Sequence, residues 1–182
     1  GRALPERPGV VVGPGTGLGA GALIHARGAW IPVPGEGGHI DLGPVSERDF
    51  AIWPHLEKSF GRFSAETLLC GPGLMRVYRG LASFHGAAPE LATPAEVTAA
   101  GLSGDDPVAV EALDFFVTHL GRFAGNLAVV FVATGGVYLA GGISAKIAPA
   151  LRMGSFREAF VAKDPHRHLL EEMMTAIIIR PD

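Results

Sequence analysis

The stretch from Asp106 to Ala140 constrains the fold more than any other part of the chain. Asp106-Pro107 starts a helix, and Leu113, Phe116, Leu120, Phe123, Leu127 and Val130 recur at spacings of three and four. That spacing places them on one face of a helix running to about Val132. Thr134-Gly135-Gly136 then stops the helix, and Val137-Tyr138-Leu139-Ala140 reads as a strand closed by Gly141-Gly142. The same run imitates a membrane span, because Phe123 to Ala145 contains no charged residue. A span needs about 20 uninterrupted apolar residues, however, and Asn126 with the Thr134-Gly135-Gly136 breaker leaves two pieces that are each too short.

The remaining segments alternate in the same way. Val10-Val11-Val12 reads as a buried strand entering the glycine loop Gly13-Pro14-Gly15-Thr16-Gly17-Leu18-Gly19. Ala22 to His25 and Ala29 to Val33, separated by Arg27-Gly28, predict a hairpin, and a second loop follows from Pro34 to His39. Ser46 with Asp49 predicts a capped helix toward Phe60 that Pro54 must kink or break. Ser64-Ala65-Glu66 starts a short helix, and Gly71-Pro72-Gly73 punctuates before another through Tyr78. Thr93-Pro94-Ala95-Glu96 joins an N-cap, a proline at the first helical position and a glutamate two residues later, a strong helix start. Helices near Ala145–Leu151 and Phe156–Ala162 and a final strand over Thr175–Ile179 complete a mixed α/β reading, without repeats.

Composition narrows the function classes. With 182 residues and 48% hydrophobic content, the chain can bury a substantial core as one domain. A net charge of −3 disfavours nucleic acid or an anionic membrane as the main partner. Cys70 is the single cysteine, which excludes an internal disulfide and a multi-cysteine zinc site and suits a reducing compartment. No basic and apolar leader opens the chain. The chain begins at Gly1 instead of methionine and ends just after a strand-like run, so a piece of a longer protein is expected.

The chemistry is sought in the glycine loops. A strand that delivers glycines presents backbone N–H groups unobstructed, which suits phosphate oxygens, and Thr16 adds a hydroxyl. Gly15-x-Gly17-x-x-Ala20 can be forced onto a dinucleotide fingerprint, but a hairpin follows where a helix is required. A tight β-turn with no ligand is the plain alternative. Glu36 and His39 lie three apart in a loop otherwise made mostly of proline and glycine. A carboxylate accepts from two vicinal hydroxyls and an imidazole can serve a third, so the pair suits a polyol. Taken alone, Glu36 is equally a solvated loop charge, His39 a packed loop histidine and Glu66 a helix cap. The other histidines (His25, His55, His85, His119, His166 and His168) show no metal-ligand spacing. Cys70 reads as a small buried apolar group. Ser64 lacks a nucleophile-elbow context.

Together these segments resemble the bacterial glucokinase family. Gly13 to Gly19, Pro34 to His39, Ser64-Ala65-Glu66 with Gly71-Pro72-Gly73-Leu74, Gly121 to Ala128 and Gly135 to Ile143 follow the family's order over nearly the whole chain. The resemblance implies the large domain of a two-domain sugar kinase with a ribonuclease-H-like, actin-like ATPase fold: a mixed sheet with flanking helices, closing with a smaller domain over a cleft. It implies that Glu36, His39 and Glu66 hold glucose hydroxyls. Gly15, Thr16 and Gly17 would approach the ATP phosphates, and Gly141 and Gly142 would lie near the nucleoside. The activity implied is transfer of the ATP γ-phosphoryl group to the glucose 6-hydroxyl, as in glycolysis, with Mg2+ carried mainly by the nucleotide and the other domain.

Two family elements are missing. The Asp-x-Gly-Gly-Thr phosphate loop does not occur, and Asn126, the sole asparagine, is followed by Leu127 and not by the general-base aspartate. No catalytic residue and no metal ligand is therefore assigned to this chain. The smaller N-terminal domain and a final C-terminal helix are expected outside it, and the isolated chain is expected to be inactive. A cytoplasmic homodimer in full-length form is the further expectation. The rivals are a repressor–open-reading-frame–kinase (ROK) type hexose kinase, whose cysteine-rich zinc motif a single Cys70 cannot supply, and a non-catalytic sugar-binding module on the same fold.

Overall fold

The computed structural model describes residues 1–179, so Arg180, Pro181 and Asp182 fall outside it. Five strands form one mixed sheet: β1 (Gly9–Pro14), β2 (Leu18–Ala26), β3 (Ala29–Gly35), β4 (Gly136–Leu139) and β5 (Thr175–Ile177), in the order β3-β2-β1-β4-β5. β1–β2 and β2–β3 pair antiparallel, whereas β1–β4 and β4–β5 pair parallel. Pairing runs to Pro14↔Leu18, so the first glycine loop is only a three-residue turn. The expected strand over Thr175–Ile179 is paired only through Ile177.

Nine helices occupy the described connections: α1 (Glu47–Ile52), α2 (Ala65–Leu68), α3 (Gly71–Phe84), α4 (Pro94–Ser103), α5 (Pro107–Phe131), α6 (Gly141–Lys146), α7 (Ala148–Leu151), α8 (Ser155–Val161) and α9 (Arg167–Glu172). α5 is the predicted long helix. Asp106 caps it through hydrogen bonds from the Val108 and Ala109 N–H groups, and Val132 ends it in the left-handed conformation at φ 47°. Leu113, Phe116, Leu120, Phe123 and Leu127 are buried as expected, but Val130 is 69% exposed. At 100° per residue it shares its face with the buried Ala112, so it is exposed because of where it falls along the helix and not because of its angle. The buried stripe joins Val10, Val12, Val137 and Leu139 of the sheet in one core.

Three other expectations change. The helix toward Phe60 stops at Ile52; Pro54 turns Trp53–His55 into a short 3-10 segment, and Phe60 is fully exposed. Gly71-Pro72-Gly73 does not punctuate but forms the first turn of α3, which runs past Tyr78 to Phe84. Gly73 packs so closely that a Cβ there would lie 2.4 Å from the Leu68 carbonyl carbon. The helix expected near Ala145–Leu151 forms as two pieces, α6 and α7. The short α9 carries no strong sequence signal.

α8 crosses α5 at two glycines. A Cβ on Gly121 would lie 2.3 Å from the Phe156 carbonyl oxygen, and one on Gly125 2.5 Å from that of Phe160. The opposite face of the sheet carries Val11, Leu23, Trp30, Pro32 and Tyr138, none of them buried. Parallel strands are ordinarily covered on both sides.

Candidate functional site

Glu36, His39 and Glu66 converge. Glu36 follows the end of β3 and precedes a single 3-10 turn over Gly37–His39, with the His39 N–H donating to the Glu36 carbonyl at 3.0 Å. That turn lies tight against β2: a Cβ on Gly38 would come within 2.1 Å of the Leu18 carbonyl oxygen. Only glycine fits there, so the loop composition has a packing reason beside any ligand. The Ala65 N–H donates to the Ile40 carbonyl at 2.8 Å and fixes α2 beside the turn. His39 Nε2 then stands 3.9 Å from both Glu36 Oε2 and Glu66 Oε1.

Glu66 is not the cap of its helix. Ser64 caps α2 by accepting from the Thr67 N–H, while Thr67 Oγ1 accepts from the Ser64 N–H. The Glu66 carboxylate is thereby free for longer reach. Its Oε2 accepts from the Leu18 N–H at 2.8 Å, across 48 residues of sequence. Its Oε1 faces His39. Glu36, 91% exposed, and His39, 53% exposed, complete an open wall of oxygen acceptors and one imidazole. Such a wall can receive several hydroxyls of one polyol.

The second set of predicted residues lies at the same end of the sheet. Within the β1–β2 turn the Gly15 N–H donates to the Gly17 carbonyl at 2.8 Å, and the Gly15 carbonyl accepts from the Gly71 N–H at 2.8 Å. Thr16 is exposed at the tip. Gly141 opens α6 at φ 81°, and a Cβ there would lie 2.5 Å from the Pro14 carbonyl oxygen, so the start of α6 rests on the end of β1. Gly142 faces open space. The C-terminal ends of the parallel strands β1 and β4 thus carry both sets, the position where open α/β sheets bind ligands.

Two features were not legible beforehand. Cys70, read as a small apolar group, caps α3: its sulfur accepts from the Gly73 N–H at 3.3 Å and its thiol donates to the Glu66 carbonyl at 3.0 Å. Burial pushes the thiol pKa up, so it remains a neutral donor. His119, read as a surface or packing residue, is buried among charges. Its Nδ1 donates to the Phe115 carbonyl at 2.8 Å, and its Nε2 receives an N–H of Arg122 at 3.0 Å. Arg122 also bonds Asp49. Burial pushes His119 down to about 4, with Arg122 adding to the effect against the Phe115 carbonyl and Asp49. Burial alone would raise the Asp49 carboxyl, but the Val45 and Ser46 N–H groups, Arg122 and His119 hold it at about 2. Among the described residues no three His, Cys, Asp or Glu side chains gather to hold a metal ion, and no helix is long and apolar enough to cross a membrane.

The glucokinase family model matches residues 1–182. A glucokinase from Rhizobium etli is 55% identical over 172 residues, 94% of this chain and 50% of the relative. The chain spans about half the length of the curated relatives it matches. Among solved structures, a glucokinase from an Antarctic psychrotroph superposes with a TM-score of 0.89 at 29% identity, over 98% of this chain and 56% of that one. A ROK family glucokinase from Streptomyces griseus, solved with glucose and AMPPNP, gives a TM-score of 0.63 at 21% identity, over 95% of this chain and 55% of that one, and so shows the shared fold alone. The order of the sheet, the placement of its loops and this match across every residue agree: the chain belongs to the glucokinase family.

Proposed function

We propose that the full-length protein is an ATP-dependent glucokinase and that this chain is its large domain, supplying the sugar-binding wall. The observation that carries this reading is the convergence of Glu36, His39 and Glu66, brought within 3.9 Å of one imidazole nitrogen from segments up to 30 residues apart. Glu36 and Glu66 accept from glucose hydroxyls, and His39 donates to or accepts from another. Thr16 at the turn tip, flanked by Gly15 and Gly17, approaches the ATP phosphates. Gly142, beside the backbone-packed Gly141, leaves room for the nucleoside.

In the transfer, a bond forms between the glucose 6-oxygen and the γ-phosphorus while the bond from that phosphorus to the β–γ bridging oxygen breaks. ADP leaves, and the hydroxyl proton passes to a carboxylate base in the half of the protein outside this chain. Such chemistry depends on positioning and electrostatic stabilisation, so half a cleft supplies little of it. Mg2+ would enter with the nucleotide, and the described residues offer no donor cluster for it. A cytoplasmic homodimer is the assembly consistent with this reading.

The test is steady-state glucose phosphorylation by the full-length enzyme. Glu36→Ala and His39→Ala should each raise the glucose KM about tenfold or more, the loss expected for a hydrogen bond to a charged or desolvated partner. Unchanged sugar saturation in both variants refutes the assignment.

A further inference from the structure

The β1–β2 turn does more than face a phosphate. We propose that it is a positioning element for the sugar-binding carboxylate. The Leu18 N–H binds one oxygen of Glu66, and Gly17 is glycine to make room for that carboxylate, so that Oε1 is turned toward His39 and the substrate side. This inference rests on the proposed role of Glu66 and deepens it.

Three observations support it. A Cβ on Gly17 would lie 2.6 Å from Glu66 Oε2, inside contact distance, so the carboxylate would have to move. Gly17 has no left-handed backbone that would itself demand glycine. By contrast, a Cβ on Gly15 would meet only the Gly17 carbonyl oxygen, at 4.0 Å. The two glycines of one turn are thus distinguished: one is crowded by the carboxylate and the other is not.

The turn and Glu66 are also fastened from the far side. The Cys70 thiol holds the Glu66 carbonyl, and the next residue, Gly71, holds the Gly15 carbonyl. Glu66 is therefore pinned at its backbone by α3 and at its carboxylate by the turn. With Oε2 accepting an N–H at 2.8 Å, the carboxylate is held in one orientation, Oε2 toward the turn with one acceptor site taken and Oε1 toward His39. One turn then presents Thr16 outward and the Leu18 N–H inward.

The experiment measures glucose and ATP saturation in the full-length enzyme for Gly17→Ala, Gly15→Ala, Glu66→Ala and the Gly17→Ala/Glu66→Ala pair. Gly17→Ala should raise the glucose KM about tenfold, by a larger factor than it raises the ATP KM, with the melting midpoint held within about 2 °C. Gly15→Ala, in the same phosphate-facing turn but clear of the carboxylate, should change the glucose KM by less than about twofold, whatever it does to ATP saturation. In the Glu66→Ala background, Gly17→Ala should add nothing, because its effect passes through the carboxylate. Independent effects of the two substitutions, or a Gly17→Ala defect confined to ATP, overturn the inference. Glu66→Ala with normal glucose saturation instead refutes the ligand role beneath it. Amide exchange at Leu18 supplies a readout that needs no variant at Gly17: loss of the Glu66 acceptor should speed it about tenfold, and unchanged exchange in Glu66→Ala overturns the inference.

Discussion

His119 makes the stability of this domain depend on pH below neutrality. The ring stacks on Phe115 with centroids 3.9 Å apart, is almost fully buried, and is neutral in the arrangement seen. With Nδ1 donating to the Phe115 carbonyl, Nε2 must present its lone pair to the Arg122 N–H; a second proton there would point at a cation. The folded pKa is about 4, against 6.5 for the free side chain. Between those values the unfolded chain binds the extra proton and the folded chain does not, so stability rises with pH. The contribution is complete above about pH 6.5, is lost as pH falls toward 4, and amounts to about 3 kcal/mol over that window at 1.36 kcal/mol per pKa unit. Asp49, held at about 2 against 3.8, takes over below pH 4 with the same sign. Denaturant unfolding of the full-length protein between pH 4 and 7.5 should show the first loss, and His119→Gln, which keeps a donor and an acceptor but cannot titrate, should flatten it. An NMR titration placing His119 near 6.5 in the folded protein, or a wild-type curve no steeper than that of His119→Gln, refutes the reasoning.

Two stability predictions follow from packing and capping. Gly121→Ala drives a Cβ to 2.3 Å from the Phe156 carbonyl, a backbone atom that cannot rotate away, and should cost about 2–3 kcal/mol by separating α5 from α8; calorimetry or denaturant midpoints check it. Asp106→Ala removes the α5 cap and the acceptor 2.9 Å from the Tyr78 hydroxyl, and should cost about 2 kcal/mol in the same assays. Both should leave the glucose KM unchanged, since neither residue touches the candidate site.

Local rules made much of this fold legible. The capping boxes at Ser46 and Thr93 form as their residues require, and the apolar spacing along α5 finds its burial. Sequence and structure part where local signals conflict. Pro72 between two glycines reads as a break, yet proline in a first helical turn needs no N–H partner, and Cys70 supplies the cap that no simple rule assigns to cysteine. Pro54 does stop a helix, because it falls within one already begun. Val130 satisfies the spacing and fails on burial, since periodicity says which residues share a face but not where the covering element ends.

For the candidate site, residue type was legible and pairing was not. Glu36 and His39 are close in sequence, so a single turn suffices to join them. Glu66 joins them through the Ala65–Ile40 backbone bond and a backbone N–H 48 residues away, its carboxylate left free because Ser64 and Thr67 complete the capping of α2. The same contact explains Gly17. In a sequence it is one of several glycines beside a strand, and phosphate approach accounts for all of them equally well. In three dimensions the carboxylate separates Gly17 from Gly15, and the burial of Cys70 against the same glutamate ties the separation to a third segment. A glycine-rich turn in this arrangement is therefore shaped by its protein neighbour as much as by its ligand. That is why substitution at one glycine should register in sugar binding, whereas substitution two residues earlier should not.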